Sequence, residues 1–320
     1  MNLKKVDTVI SKAEIENNLP YHLLRVGLTC NVNCVFCNIP MESNVYPARL
    51  GLNELKKEID KISKKDPRPK ISITGGEPTV RADLIKIIEY LKKRKTKIIE
   101  LQTNAILLSD DNLVKKIKKA GLNKAFVSLH SHLPELHDLL IMQKGGFEKC
   151  VHGINNLLTH NIQVTLNPVV TSLTYKHLPG YIGFIHTNLP KISSISLSVV
   201  QPNGRAMIYK KIVPRYSLIG PYIKKALGLA DKFNIVVNNP FCGLPLCIGE
   251  WHKRPNRCLE HNESIVNKDK LLSSRPKELS EKMKPRQCKY CQFNDSCNGV
   301  WYNYAKIYPI SDLKPIRYDQ

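Results

Sequence analysis

The 320-residue chain has no run of 18 apolar residues, so no stretch of it reads as a transmembrane helix. Its N-terminal stretch, MNLKKVDTVISKAEIENN, is charged and has no apolar core, so it does not read as a secretory signal. No internal repeat and no low-complexity tract is visible. Acidic residues are scarce, 27 against 49 lysines and arginines, and aromatics make up only 7%. With no export or membrane signal, the expected location is the cytoplasm, where thiols are kept reduced. The ten cysteines therefore point to metal or catalysis rather than to disulfides.

The length suits two domains, or one large α/β barrel with an extension. Hydrophobic residues at 42% and charged residues at 24% are those of a globular chain, not a disordered one. The formal charge of +22 comes largely from lysine clusters. One holds Lys56, Lys57, Lys64 and Lys65, a second Lys92, Lys93, Lys95 and Lys97, and a third Lys115, Lys116, Lys118 and Lys119. Each lies on or just after an amphipathic helical pattern. They read as a solvated outer face, or as an attraction for a polyanion such as tRNA or an acidic peptide. Few aromatics are interleaved, so the nucleic-acid signal is weak.

Apolar β-type runs at 23–28, 71–74, 98–102, 125–129, 164–170 and 195–200 alternate with helical patterns at 53–64, 82–94, 110–119, 147–160 and 175–188, and a further helical pattern follows at 216–233. Six β-then-α units imply parallel strands with right-handed crossovers. The expected fold is a partial (βα)6 TIM-like barrel, with chemistry in the loops at the C-terminal ends of the strands. After about residue 238 periodicity fades, and six cysteines and frequent prolines follow, as in a small domain organised by metal. The expected organisation is a leading segment at 1–20, a barrel at 21–237 and a cysteine-rich metal-cluster domain at 238–320.

Directly after the first strand pattern come Cys30, Cys34 and Cys37, spaced C-x3-C-x2-C. Three thiolates on one loop suit a [4Fe–4S] cluster with one iron open to an exogenous ligand. A structural zinc site would want four closed ligands. This spacing, with aromatic Phe36 before the last cysteine, resembles the signature of the radical S-adenosylmethionine (radical SAM) superfamily. Later motifs agree, each at the end of its own strand pattern. Gly75, Gly76, Glu77 and Pro78 match the superfamily's GGEP motif, and Thr103, Asn104 and Ala105 resemble its T-N-G with alanine for glycine. The run from Gln201 through Arg205 to Ala206 resembles a P-x-G-R-A turn.

The resemblance covers about residues 20–235 and implies that Cys30, Cys34 and Cys37 hold the cluster. It implies that the GGEP residues bind the methionine amino group of SAM, with Glu77 accepting from the ammonium. It places Phe36 beside the adenine and makes Asn104, Ser128, Asn167 and Arg205 candidate SAM contacts. The implied chemistry is reductive cleavage of SAM to a 5′-deoxyadenosyl radical that abstracts hydrogen from a substrate, with a flavodoxin or ferredoxin as electron donor. His130, His132 and His137 read as solvated loop residues, and Cys150 as a core cysteine.

In the tail, Cys242, Cys247 and Cys258 precede Cys288, Cys291 and Cys297. The last three, spaced C-x2-C-x5-C, resemble the SPASM and twitch extensions that bind auxiliary Fe–S clusters, in a shortened form because no cysteine follows Cys297. The favoured arrangement is one cluster on Cys288, Cys291, Cys297 and one of Cys242, Cys247 or Cys258. Two clusters, or a zinc knot on the same thiols, remain open. The tail also resembles radical SAM maturases of ribosomally made peptides, such as the His-Xaa-Ser group. The leading expectation is therefore oxidative modification of a peptide or protein, with a separate partner to bind a leader peptide. The alternatives are small-molecule or cofactor biosynthesis, and tRNA modification.

Overall fold

A computed structural model describes residues 21–38, 47–192, 194–258 and 282–317. The leading segment at 1–20 lies outside them, as does 259–281 of the tail. Seven parallel strands form one sheet in the order β1 (His22–Arg25), β2 (Lys70–Thr74), β3 (Ile98–Thr103), β4 (Lys124–Val127), β5 (Gln163–Leu166), β7 (Ser194–Ser196) and β9 (Val236–Asn238). Beyond β5 and β7, β6 (Val169–Val170) and β8 (Ser198–Val199) pair in parallel as a short extension. Sequential order with helical crossovers, and no pairing between β1 and β9 among the described residues, makes a partial barrel.

The helices are α1 (Leu52–Lys65), α2 (Leu84–Lys93), α3 (Asp111–Ala120), α4 (Pro134–Ile141), α5 (Gly146–Thr159), α6 (Leu178–Asn188), α7 (Arg205–Ile208) and α8 (Tyr216–Lys232). The amphipathic pattern explains how they pack. In α2, Leu84, Ile87, Ile88 and Leu91 are buried at helical spacing. On the sheet, Ile71, Ile73, Ile99 and Leu101 join the same apolar core. The alternate positions carry polar groups that bond to one another. Ser72 Oγ donates to Glu100 at 2.7 Å, Thr74 Oγ1 donates to Gln102 at 2.7 Å, and Lys124 pairs with Glu100 at 3.3 Å. The inner wall of the partial barrel is therefore polar.

Three details depart from the sequence reading. A seventh strand, β9, is three residues long, too short to show a period. The runs at 164–170 and 195–200 are each split in two. Pro168 has no N–H for the ladder, and Leu197 N donates to Asn238 O at 2.9 Å instead. The stretch read as a histidine loop contains α4, started by Pro134 at its first turn. No helix among the described residues is long and apolar enough to cross a membrane.

The tail packs on the barrel rather than trailing from it. β10 (Lys282–Met283) and β11 (Val300–Trp301) form an antiparallel pair. Tyr304 stacks on Tyr216 at 3.9 Å and its hydroxyl accepts from Tyr216 N at the start of α8. Asn303 Nδ2 donates to Asn203 at 3.0 Å, joining the tail to the turn before Arg205.

Candidate active site

The cysteine loop follows β1 at the C-terminal end of the sheet, and the turns after several other strands clasp it. After β2, Gly76 N donates to Gly27 O and Glu77 N to Thr29 O, both at 2.9 Å. A Cβ on Gly76 would collide with the carbonyls of Leu28 and Thr29, so only glycine lets these two backbones meet. Gly75, at φ +136°, presses likewise on Gly27. Both glycines thus let two strand-end loops join.

After β3, Asn104 Nδ2 donates to Asn31 in the cysteine loop at 2.7 Å. The last turn of α4 accepts from the loop: Asn33 N reaches Ile141 O at 3.1 Å and Val35 N reaches Leu140 O at 2.9 Å. After β8, Arg205 N donates to Cys37 O at 3.0 Å. The Arg205 guanidinium donates to Cys34 O at 3.3 Å and to Asn33 Oδ1 at 3.1 Å. Arg205 thus braces the loop with its backbone and its side chain.

Glu77 is 2% exposed and already engaged. Its Oε1 accepts from Thr79 N at 3.1 Å, Thr79 Oγ1 at 2.6 Å and Thr103 Oγ1 at 2.7 Å. Its Oε2 accepts from Asn104 N at 2.7 Å and keeps capacity for a further donor. Burial pushes its carboxyl above the usual range, and the four hydrogen bonds oppose that. Glu77 therefore ties the turns after β2 and β3 together. Pro78 opens the buried turn that presents Thr79 to it. Ala105 sits at φ +59°, in the left-handed region, which explains the glycine of the motif it resembles.

Phe36 meets His130 edge-on at 5.0 Å, and His130 stacks on His137 at 5.7 Å. These two histidines are buried, not solvated, because α4 folds the stretch back over β4. Each uses Nδ1 as an acceptor: His130 from Val169 N, and His137 from His130 N, both at 3.2 Å. Burial holds both neutral, His130 well below the ordinary range and His137 at about 4. Sequence reasoning missed this stack; the signal available was Pro134 followed by Glu135, a helix start.

Ser128 is half-buried at the end of β4, where its carbonyl faces the Cys150 thiol at 3.9 Å. Cys150 itself is buried in the core. Asn167 Nδ2 donates to Ser196 O at 2.8 Å and Ser198 Oγ at 2.7 Å. Ser198 Oγ in turn lies 3.0 Å from Cys242 Sγ, so a short polar chain runs from the barrel strands to the tail.

The tail thiols separate by environment. Burial, then the charges of Cys297, Cys288 and Cys291, pushes Cys247 up to about 12. Cys288 is raised by burial and then by Cys297 and Cys291. Cys247 and Cys288 thus both feel Cys291 and Cys297, and Gly299 N donates to Cys297 Sγ at 3.4 Å. Cys258 is pushed up to about 11 by burial, against an Asn239 hydrogen bond, and it also feels Cys297. It is buried, and its thiol donates to Arg254 O at 3.4 Å and Trp251 O at 3.7 Å. Cys242 faces Ser198 instead.

In the first set, burial and then the charges of Cys37 and Cys30 push Cys34 up to about 12. Among the described residues, no three metal-binding side chains are drawn in to ligand distance. The donor chemistry nevertheless fits iron–sulfur groups. Each set gathers soft thiols whose mutual repulsion a cationic iron would reverse by displacing protons. Cys30, Cys34 and Cys37 would supply three thiolates to such a group.

Comparison with known proteins agrees with this geometry. The radical SAM superfamily model matches residues 24–185, about half of the chain. The chain belongs to the radical SAM superfamily. Its sequence is similar to a probable GTP 3′,8-cyclase of Methanocaldococcus jannaschii, 36% identical over 169 residues, 50% of this chain and 54% of that protein. It is also similar to an AdoMet-dependent heme synthase of Oleidesulfovibrio alaskensis, 32% identical over 146 residues, 46% of this chain and 37% of that one. The chain thus spans about half the length, or less, of these curated relatives. In fold it resembles Streptococcus suis SuiB bound to its precursor peptide SuiA, with TM-score 0.61 and 15% identity over 96% of this chain and 78% of SuiB. It also resembles anSMEcpe with bound AdoMet, with TM-score 0.57 and 16% identity over 69% of this chain and 62% of that one.

Proposed function

We propose that this chain is a radical SAM enzyme of small-molecule cofactor biosynthesis. Cys30, Cys34 and Cys37 hold its SAM-cleaving [4Fe–4S] cluster, and Cys247, Cys288, Cys291 and Cys297 hold one auxiliary cluster. The observation that carries the reading is the three-thiol loop clasped by the turns after β2, β3 and β8. When bound, the cluster and SAM supply reductive cleavage of the sulfonium and hydrogen abstraction. The chain's own residues bind and orient. Arg205 and Asn104 hold the cysteine loop in register, and Glu77 fixes the two turns beside it. Phe36, seated on neutral His130, lies where it can flank an adenine. Asn167 and Ser128 line the ends of β5 and β4.

The small-molecule class is supported by the 30–36% identity of the barrel to relatives named for GTP cyclisation and haem synthesis. The polar inner wall suits a polar substrate. These observations favour this class over the peptide modification first expected. A second reading, peptide modification, is favoured by the fold likeness to SuiB, which extends over 96% of the chain and so includes the tail. A leader-binding partner belongs to that reading. The test is anaerobic incubation of the iron-loaded, chemically reduced protein with SAM, measuring 5′-deoxyadenosine with GTP, a haem-precursor porphyrin or a candidate precursor peptide. Stimulation by a small molecule, with its mass changed, supports the first reading. Stimulation by the peptide alone overturns it.

A further inference from the structure

We propose that the groove between α2 and α3 is a binding site for a linear polyphosphate anion of three or more linked phosphates, free or carried by a nucleotide. The groove measures about 540 Å³, within the range of ligand clefts. Ile85 and Ala120 give it an apolar lining, and Lys92, Lys93, Lys116, Lys119 and Glu89 supply its polar groups. The helical period puts them there. Positions 85, 89, 92 and 93 fall on one stripe of α2, and positions 116, 119 and 120 on one stripe of α3. The two stripes line the same groove.

Arg94, Lys115 and Lys118, on or beside the same two helices, are committed elsewhere. Arg94 Nε pairs with Asp60 at 2.8 Å, Lys115 Nζ pairs with Asp111 at 2.7 Å, and Lys118 Nζ donates to Asn161 O at 2.9 Å. The four lysines of the groove are exposed and form no ion pair among the described residues, not even with Glu89. A helix C-terminus attracts cations through its dipole, but the dipole does not direct the lysines of two helices into one groove. Lys92 is also held in place. Its stem crosses Gly121, where a Cβ would come within 3.0–3.4 Å of Lys92 Cδ, Cβ and Cγ, so glycine at the end of α3 leaves that path open. An ammonium on an ordered stem loses less freedom on binding.

Four ammoniums against one carboxylate call for an anion of several charges. No aromatic ring among the described residues lines the groove, so it offers no stacking platform for the bases of a single-stranded nucleic acid. Glu89 is the one acceptor among the lining side chains described, so the N–H groups of an acidic peptide would go unmatched. A chain of phosphates carries only acceptors and negative charge, which suits donors that are all ammoniums. The groove is remote from the cysteine loop. Helices that return between parallel strands end at the opposite edge of the sheet, and Lys92, Lys93 and Lys119 stand in the last turns of α2 and α3. Its occupancy therefore requires neither SAM nor the cluster.

The test is calorimetry with sodium tripolyphosphate on the full chain after anaerobic iron loading. Wild type should bind one equivalent at low salt and lose affinity steeply as salt is raised. Lys92→Gln/Lys119→Gln should weaken binding roughly 10-fold, and Glu89→Gln should tighten it roughly 2- to 5-fold, a gain that misfolding cannot imitate. Lys144→Gln/Lys210→Gln removes two exposed lysines that follow α4 and α7, and should leave affinity within about 2-fold of wild type. Cys30/Cys34/Cys37→Ala should bind as wild type does. Either result with ATP supports the site: competition identifies a nucleotide as the source of the phosphates, and its absence identifies the free polyanion. The proposal is overturned by no saturable binding, by equal weakening in the Lys144/Lys210 control, or by no effect of the groove variants. Loss of binding in the cysteine variant, or tighter binding of duplex RNA through the same lysines, overturns it as well.

Discussion

Replacing His137 with asparagine should flatten the acid limb of the stability curve. His137 is 1% exposed, stacked on His130 and meeting Phe147 edge-on, and burial lowers its imidazole to about 4. In the unfolded chain it titrates near 6.5. Above pH 6.5 it is neutral in both states and contributes no pH dependence. Between 6.5 and 4 the unfolded chain takes up a proton that the fold excludes, so stability falls as the pH falls through that window. A gap of about 2.5 units corresponds to about 3 kcal/mol lost by pH 4, a large part of the 5–15 kcal/mol typical of a folded protein.

Asparagine does not titrate, and its Oδ1 can stand in for Nδ1 as acceptor of the His130 N–H. The raised carboxyl of Glu77 titrates in both proteins and cancels in the comparison, whereas His130, lowered by burial and then by His137, is relieved of the His137 charge in the variant, which flattens the acid limb further. The assay is urea unfolding at pH 7 and pH 4.5, followed by circular dichroism. Wild type should lose about 2.5 kcal/mol more than His137→Asn between the two pH values. Asparagine is smaller, so the variant will start lower at pH 7; the decisive quantity is the difference in slope. Equal losses in the two proteins would refute the assignment of the acid limb to this imidazole.

Other expectations follow from contacts already described. Gly76→Ala should destabilise the chain by about 3 kcal/mol or more and lower iron retention, because the added carbon meets two backbone carbonyls rather than a side chain that can move; iron content and a melting curve check this. Cys30/Cys34/Cys37→Ala should keep about four irons per chain in the tail after anaerobic reconstitution. On that background Cys247→Ala should abolish retention, whereas Cys258→Ala should not, since the Cys258 thiol is spent on backbone carbonyls; iron and sulfide counts decide. Ala105→Gly should change stability by less than about 1 kcal/mol, because relief at φ +59° is offset by the lost buried methyl and the added chain entropy. A thermal shift large in either direction would contradict that balance.

Much of this protein could be read from spacing and period alone. The six long β-then-α units announce themselves through apolar runs and helical faces, and these patterns are local, so they survive without tertiary context. The C-x3-C-x2-C loop and GGEP were visible for the same reason: several chemically specific residues lie within a few positions of one another. β9 and the split of the fifth and sixth strand runs were not visible. A three-residue strand has no period, and Pro168 takes effect only when a neighbour would have accepted its missing N–H. The role of each site residue also waited for the fold. Gly75 and Gly76 make room for another stretch of backbone, and Glu77 holds two turns together across 26 positions. His130 and His137 are dry because α4 carries His137 onto His130, with the Phe147 ring against His137 as well.

The tail shows the division most clearly. Its six cysteines pointed to metal from the sequence, but their spacing left three candidates for the fourth ligand beside Cys288, Cys291 and Cys297. Spacing along the chain does not report distance across it. Folding places Cys247 in the field of those three, turns Cys258 toward its own backbone and sets Cys242 against Ser198. Sequence thus determined which chemistry the chain can host. Which thiols come near one another depends on tertiary structure, because long-range packing brings Cys247 under the influence of cysteines 41 or more positions away.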